Sequence, residues 1–142
     1  SKEHHQSLIL AQKAIKISED HNVEAITELC KAIVHDYPDE WMVHFKIEED
    51  SIFQLFSESN KTEQTTEVAN LCHILKQEHL AMNRYYEQMK DEDYSILGDF
   101  GRLLKKHTRT EERQLFPLLE KIMSKEELNR VYQLSQDYRK TD

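Results

Sequence analysis

Residues 104–118 place Leu104, His107, Glu111, Leu115 and Leu118 at steps of 3, 4, 4 and 3. That rhythm traces one face of an α-helix, the face a helical protein turns toward its core. A histidine and a glutamate therefore stand where the stripe calls for leucine. Buried ionisable groups are costly unless a partner charge or a metal neutralises them. This stripe constrains the fold and the chemistry together.

The same rhythm runs through the rest of the chain. A first segment, to about residue 18, carries Leu8, Ala11 and Ile15 on one stripe. A longer second one holds Ile26, Cys30, Ile33, Tyr37, Trp41, His44, Glu48, Ile52 and Leu55 in phase, with a kink or restart expected at Pro38. The third spans roughly 63–90 through Leu71, Leu75, His79, Met82, Tyr86 and Met89. The fourth covers roughly 96–122, with Pro117 expected to bend its last turns. Polar breaks fall at "SEDHN" (18–22), "SESNKTE" (57–63), "DEDYS" (91–95) and near Ser124. "SKEE" at 124–127 reads as a capping box opening a short helix to about Tyr138. With only 2 Gly and 2 Pro in 142 residues, there is little material for hairpin turns. The expected fold is all-α: one domain over 1–142, an up-down-up-down four-helix bundle with a short fifth C-terminal helix.

Charge and hydropathy exclude other classes. A net charge of -8 with no basic stripe argues against nucleic-acid binding. No window approaches the roughly 18 apolar residues of a membrane span, and "SKEHHQSLIL" lacks the basic start and apolar run of a signal peptide. Cys30 and Cys72 form no metal-ligand or redox motif and read as buried free thiols. A cytoplasmic location is expected.

An internal echo sharpens the chemistry. "HFKIEEDSIF" (44–53) aligns without gaps on "HTRTEERQLF" (107–116): His, three residues, Glu-Glu, two residues, Ile or Leu, then Phe. In an antiparallel bundle helices two and four run parallel, so the echo fits a pseudo-two-fold arrangement. A fainter one joins "KEHHQS" (2–7) to "QEHLAM" (77–82) on helices one and three. Each long helix thus offers a histidine in or beside its stripe: His4 or His5, His44, His79 and His107. The spacing from Leu8, Ala11 and Ile15, and the alignment with His79, favour His4 over His5.

Glu48 and Glu111 lie four residues after His44 and His107. Four residues turn a helix by about 400°, so each pair shares nearly one azimuth. A lone core histidine is ordinarily hydrogen-bonded, and a His–Glu pair at this spacing is ordinarily a surface ion pair. Here two such pairs and two further histidines face one interior, where a dication would hold the carboxylates ionised and the imidazoles neutral. Imidazole plus carboxylate without thiolate suits iron, zinc or manganese. Glu49 and Glu112 point about 100° away, toward a neighbouring helix or solvent, as candidates for an extra ligand or a supporting base. Trp41, Phe45, Tyr86 and Phe116 are expected in the core. His73 is expected to be structural or exposed.

Together "EHH", "HFKIEED", "EHLAM" and "HTRTEERQLFPLLE" resemble the hemerythrin-like HHE cation-binding family over nearly the whole chain. The resemblance implies a four-helix bundle around two iron ions, an oxo- or hydroxo-bridged di-iron centre. His4, His44, Glu48, His79, His107 and Glu111 would be its metal ligands, with the glutamates bridging. It further implies a small ligand (dioxygen, nitric oxide or peroxide) at open iron positions. Oxygen carriers of the family have a second histidine four residues from the one on helix three, where this chain has Leu75 and Asn83. They also have an aspartate at the position of Glu112. The carboxylate-richer pattern here resembles members associated with iron or oxygen sensing and with repair of iron centres under nitrosative stress. Sensing or ligand binding is thus expected over enzymatic turnover, with a structural metal module as the alternative.

Overall fold

A computed structural model describes residues 2–53, 56 and 63–130 of the chain. The described residues are all-α: four long helices packed together, followed by a short C-terminal one. The first is Lys2–Glu19. The second begins at Val23–Tyr37 and continues through Pro38–Met42, Val43–Glu48 and Glu49–Phe53. The third is Glu63–Lys90, and the fourth is Leu97–Thr110 continued by Glu111–Leu115 and Phe116–Ile122. None of the described helices is long and apolar enough to cross a membrane.

The ends obey local chemistry. Asn22 caps the second helix, its side-chain oxygen accepting from the Ala25 N–H at 3.2 Å. His21 and Glu92 adopt φ of 54° and 67° just after the first and third helices. These left-handed residues close the helix C-termini where glycine would ordinarily stand, at a cost of about 1 kcal/mol each. The capping box forms as the sequence suggests: Ser124 N–H donates to Glu127 Oε1 at 3.0 Å, and Glu127 N–H donates to Ser124 Oγ at 3.2 Å. The helix it opens continues to the last described residue, so an end near Tyr138 lies outside the described residues, as do Leu55 and most of the break at 57–63.

Proline acts differently from a simple kink or restart. Pro38 has no N–H to reach the carbonyl of Val34, and the chain widens into a π-helical turn over Pro38–Met42 without leaving the helix. Pro117 stands at the start of Phe116–Ile122, directly after the π-helical turn Glu111–Leu115. A third π turn, Glu49–Phe53, follows Glu48. Two of the three wide turns thus begin at or beside the inward glutamates, a placement common at functional sites.

The apolar core is divided. One cluster gathers Ala11, Ala14, Ile33, Tyr37, Phe45, Met82, Met89, Phe100 and Leu104 with their neighbours. The other gathers Ile52, Phe53, Val68, Leu71, Leu75, Leu115 and Leu119. Along the third helix the division falls between Leu75 and Met82, and along the fourth between Leu104 and Leu115. His79, His107 and Glu111 occupy that gap. Cys30 and Cys72 are buried free thiols, one in each cluster.

The first and fourth helices pack most extensively. Gly101 lies against the first helix's backbone: a Cβ there would lie 2.9 Å from the Ala11 carbonyl oxygen and 3.0 Å from Ala14 Cβ. Backbone cannot yield as a flexible side chain does. Gly101→Ala should therefore destabilise the protein by about 1–2 kcal/mol, the gain in helix propensity only partly offsetting the clash. Thermal denaturation should show a loss of roughly 5–10 °C. An unchanged or raised transition would mean the two helices part without cost.

Candidate metal centre

Between the two apolar clusters the four long helices present buried ionisable side chains to one another. Ligand atoms of His4, His44 and Glu111 lie within 4.8 Å of one another, and so do those of Glu48, His79 and His107. The six residues singled out from the sequence thus come together as two triads, each of two imidazoles and one carboxylate. His4 is the inward member of the "HH" pair, 5% exposed, while His5 faces solvent. His21, His35 and His73 are exposed.

Each carboxylate reaches both triads. Glu48 Oε1 lies 3.1 Å from His44 Nε2 and 3.5 Å from His79 Nε2. Glu111 Oε1 lies 3.3 Å from His107 Nε2 and 3.8 Å from His4 Nε2. Neither Glu48 oxygen is in a geometrically sound hydrogen bond, nor is Glu111 Oε2, although both residues are at least nine-tenths buried. Buried carboxylate oxygens so placed call for a positive partner, which a protonated imidazole or a metal ion can supply.

The imidazoles converge on the same space. His79 Nε2 and His107 Nε2 are 3.1 Å apart. Glu78 Oε1 lies 3.0 Å from His107 Nδ1, so the ring N–H is at Nδ1 and Nε2 turns a lone pair inward. His79 Nε2 can donate to that lone pair as an N–H, or the two nitrogens can together bind one metal ion. Two nitrogens bound at about 2.1 Å and at right angles to one ion are about 3 Å apart, which is the observed spacing. The donor set, imidazole and carboxylate without thiolate, suits a borderline dication.

In the protein without metal, protons take part of this role. Burial disfavours a charged Glu48, but His44 and then His79 more than reverse that and hold its carboxyl well below the usual range. Burial likewise pulls down on His44 and His79, yet Glu48 raises both above an ordinary imidazole, with Glu49 adding to His79. His4 is lowered, chiefly by burial.

Every part of the sequence echo has a spatial counterpart. Glu49 Oε1 lies 3.6 Å from His79 Nδ1, and Glu112 Oε1 lies 3.8 Å from His4 Nδ1. The second glutamates therefore stand behind the imidazoles of adjoining helices and outside both triads. Phe53 stacks on His79 with ring centres 5.5 Å apart, and Phe116 stacks on His4 at 5.1 Å. The closing Phe of each echo thus packs on the same histidine that its own Glu-Glu pair addresses. Phe45 also stacks on His79, at 4.0 Å, joining the cluster that holds Tyr37 and Phe100 to the triad.

Glu78 was not among the sequence candidates, although a signal for it exists. Leu71, Leu75, Glu78 and Met82 are spaced 4, 3 and 4, so Glu78 interrupts a leucine stripe as Glu111 does. Asn83, one turn beyond His79, accepts a hydrogen bond from the buried Tyr37 hydroxyl through Oδ1.

A scan of protein-family models, a search of curated proteins and a search of solved structures each returned no match to this chain.

Proposed function

We propose that this chain is a hemerythrin-like domain, an up-down-up-down bundle spanning 1–142 that holds a pair of iron ions and binds or senses a small ligand there. The observation that carries the reading is the pair of His–His–Glu triads linked by Glu48 and Glu111, each carboxylate within 4 Å of imidazoles from both triads. One ion per triad, with the two glutamates bridging, would use all six inward side chains. A reduced iron pair supplies electrons and open positions suited to dioxygen, nitric oxide or peroxide.

The chain's own groups hold and enclose such a pair. The four imidazoles set the donor directions, and Glu49, Glu78 and Glu112 address three of them from behind. Phe45, Phe53 and Phe116 wall the site with apolar rings, limiting water at the inward atoms. Four residues to either side of His79, where oxygen carriers of the family have a further histidine, stand a buried Leu75 and an Asn83 engaged by Tyr37, which favours sensing over simple oxygen carriage. Two buried thiols suit a reducing cytoplasmic setting.

Protein purified without chelator should contain about two irons per chain. It should also show near-ultraviolet charge-transfer bands that change on reduction and on exposure to dioxygen or nitric oxide. One zinc or no metal, with a featureless spectrum, would leave a structural bundle in place of this reading.

A further inference from the structure

Resting on the metal-pair reading, we propose that the two positions are unequal: the Glu48–His79–His107 position fills first, with Glu78 as the residue that positions it. The two triads are matched in composition but differ in enclosure. The side chains of His79 and His107 are each 2% exposed and that of Glu48 is 7%, whereas His44 is 18% exposed. The carboxylates do not make this difference, since Glu111 is 2% exposed; with both imidazoles of the first position shut off from solvent, less water competes for its donor atoms.

Pre-organisation differs in the same direction. His79 lies in the middle of Glu63–Lys90, and its Nε2 already converges on that of His107. The His4 and His44 rings of the other position are further apart, 6.3 Å between centres against 4.7 Å for His79 and His107. The outer carboxylates differ too. Glu78 is buried and 3.0 Å from His107 Nδ1, while Glu112 is 28% exposed and 3.8 Å from His4 Nδ1. A buried charged acceptor at hydrogen-bonding distance fixes the tautomer and ring orientation and makes Nε2 a stronger donor. Lys106 Nζ, 3.5 Å from Glu78 Oε2, pairs with the far oxygen from the surface and leaves Oε1 facing His107.

The test is an anaerobic titration of the metal-free protein with Co²⁺, followed by visible absorption and by proton NMR of the shifted imidazole N–H signals. Two resolved steps are expected. Glu78→Leu should weaken the first by about 10–100-fold and leave the second nearly unchanged. Glu78→Gln, which keeps an acceptor for the His107 Nδ1–H but loses the charge, should recover part of that loss and is expected to fold if the leucine variant does not. Glu112→Leu should weaken the second step alone. The His107 N–H signal should appear during the first step and exchange faster with solvent in Glu78→Leu.

Two equivalents of Co²⁺ binding with indistinguishable affinity would overturn the inference while leaving the metal pair intact. So would equal weakening of both steps by the Glu78 variants, or no weakening. Absence of Co²⁺ binding altogether would overturn the metal reading itself.

Discussion

Stripping metal from the loaded protein should lower its melting temperature by roughly 10–20 °C at pH 7.5, and returning the ions should restore it. An ion that binds the folded chain alone stabilises it by about 4 kcal/mol when its free concentration is a thousand times the dissociation constant. Spread over a chain of this size, that corresponds to the stated shift.

The shift should shrink at pH 5.5, because protons compete with the ion for the same atoms. In the metal-free fold His44 and His79 titrate above their ordinary value of 6.5. Their contribution is fully present below 6.5 and is lost as pH rises through the raised values. Glu48 titrates below its ordinary 4.5, so its contribution is present above 4.5 and lost as pH falls through the lowered value. His4 acts in the opposite sense to the other two histidines: lowered by burial, it favours the unfolded chain as pH falls below 6.5. Two raised imidazoles against one lowered place the best stability of the metal-free chain between about 4.5 and 6.5. Calorimetric scans with and without metal at the two pH values provide the check. Identical transitions in all four scans would show that the inward side chains hold no ion.

The second large effect concerns the polar layer itself. Replacing Glu48, Glu78, His79, His107 and Glu111 together by leucine, so that no buried carboxylate loses its partner, should abolish metal binding. It should also raise the stability of the metal-free chain by about 1–4 kcal/mol, the usual consequence of exchanging a buried charged group for well-packed apolar ones. His79→Leu alone should do the reverse, costing about 3 kcal/mol or more, because it removes a counter-charge and leaves the buried Glu48 carboxylate less compensated. Urea denaturation of both variants in chelator reads the two signs directly. A quintuple variant less stable than the parent would mean that the layer is maintained for packing. The opposite signs identify it as a feature kept at the expense of stability, as functional sites commonly are.

Much of this centre was legible before any coordinates, because helical spacing converts sequence position into azimuth. His107 and Glu111 betrayed themselves by standing in leucine positions, and the echo at His44 and Glu48 made the same point independently. The helix starts at Val23 and after Ser124 were readable from Asn22 and from "SKEE", since capping is a local hydrogen-bond problem. Pro38 and Pro117 were harder. A missing N–H announces a disturbance, but whether the chain kinks, restarts or widens into a π turn depends on what packs around it.

The sequence by itself determined that the chain is helical, that its helices carry ionisable groups on their apolar faces, and that His44, Glu48, His79, His107 and Glu111 are among the inward ones, with His4 favoured over His5. These follow from periodicity and from the cost of buried charge, both properties of single helices. Only the tertiary structure decided how the six divide into two triads, that Glu49 and Glu112 stand behind imidazoles of other helices, and that Phe53 and Phe116 cover those rings. It also revealed Glu78 at the back of His107. Those relations are set by distances between helices remote in sequence, and periodicity within one helix carries no information about which neighbour its face will meet.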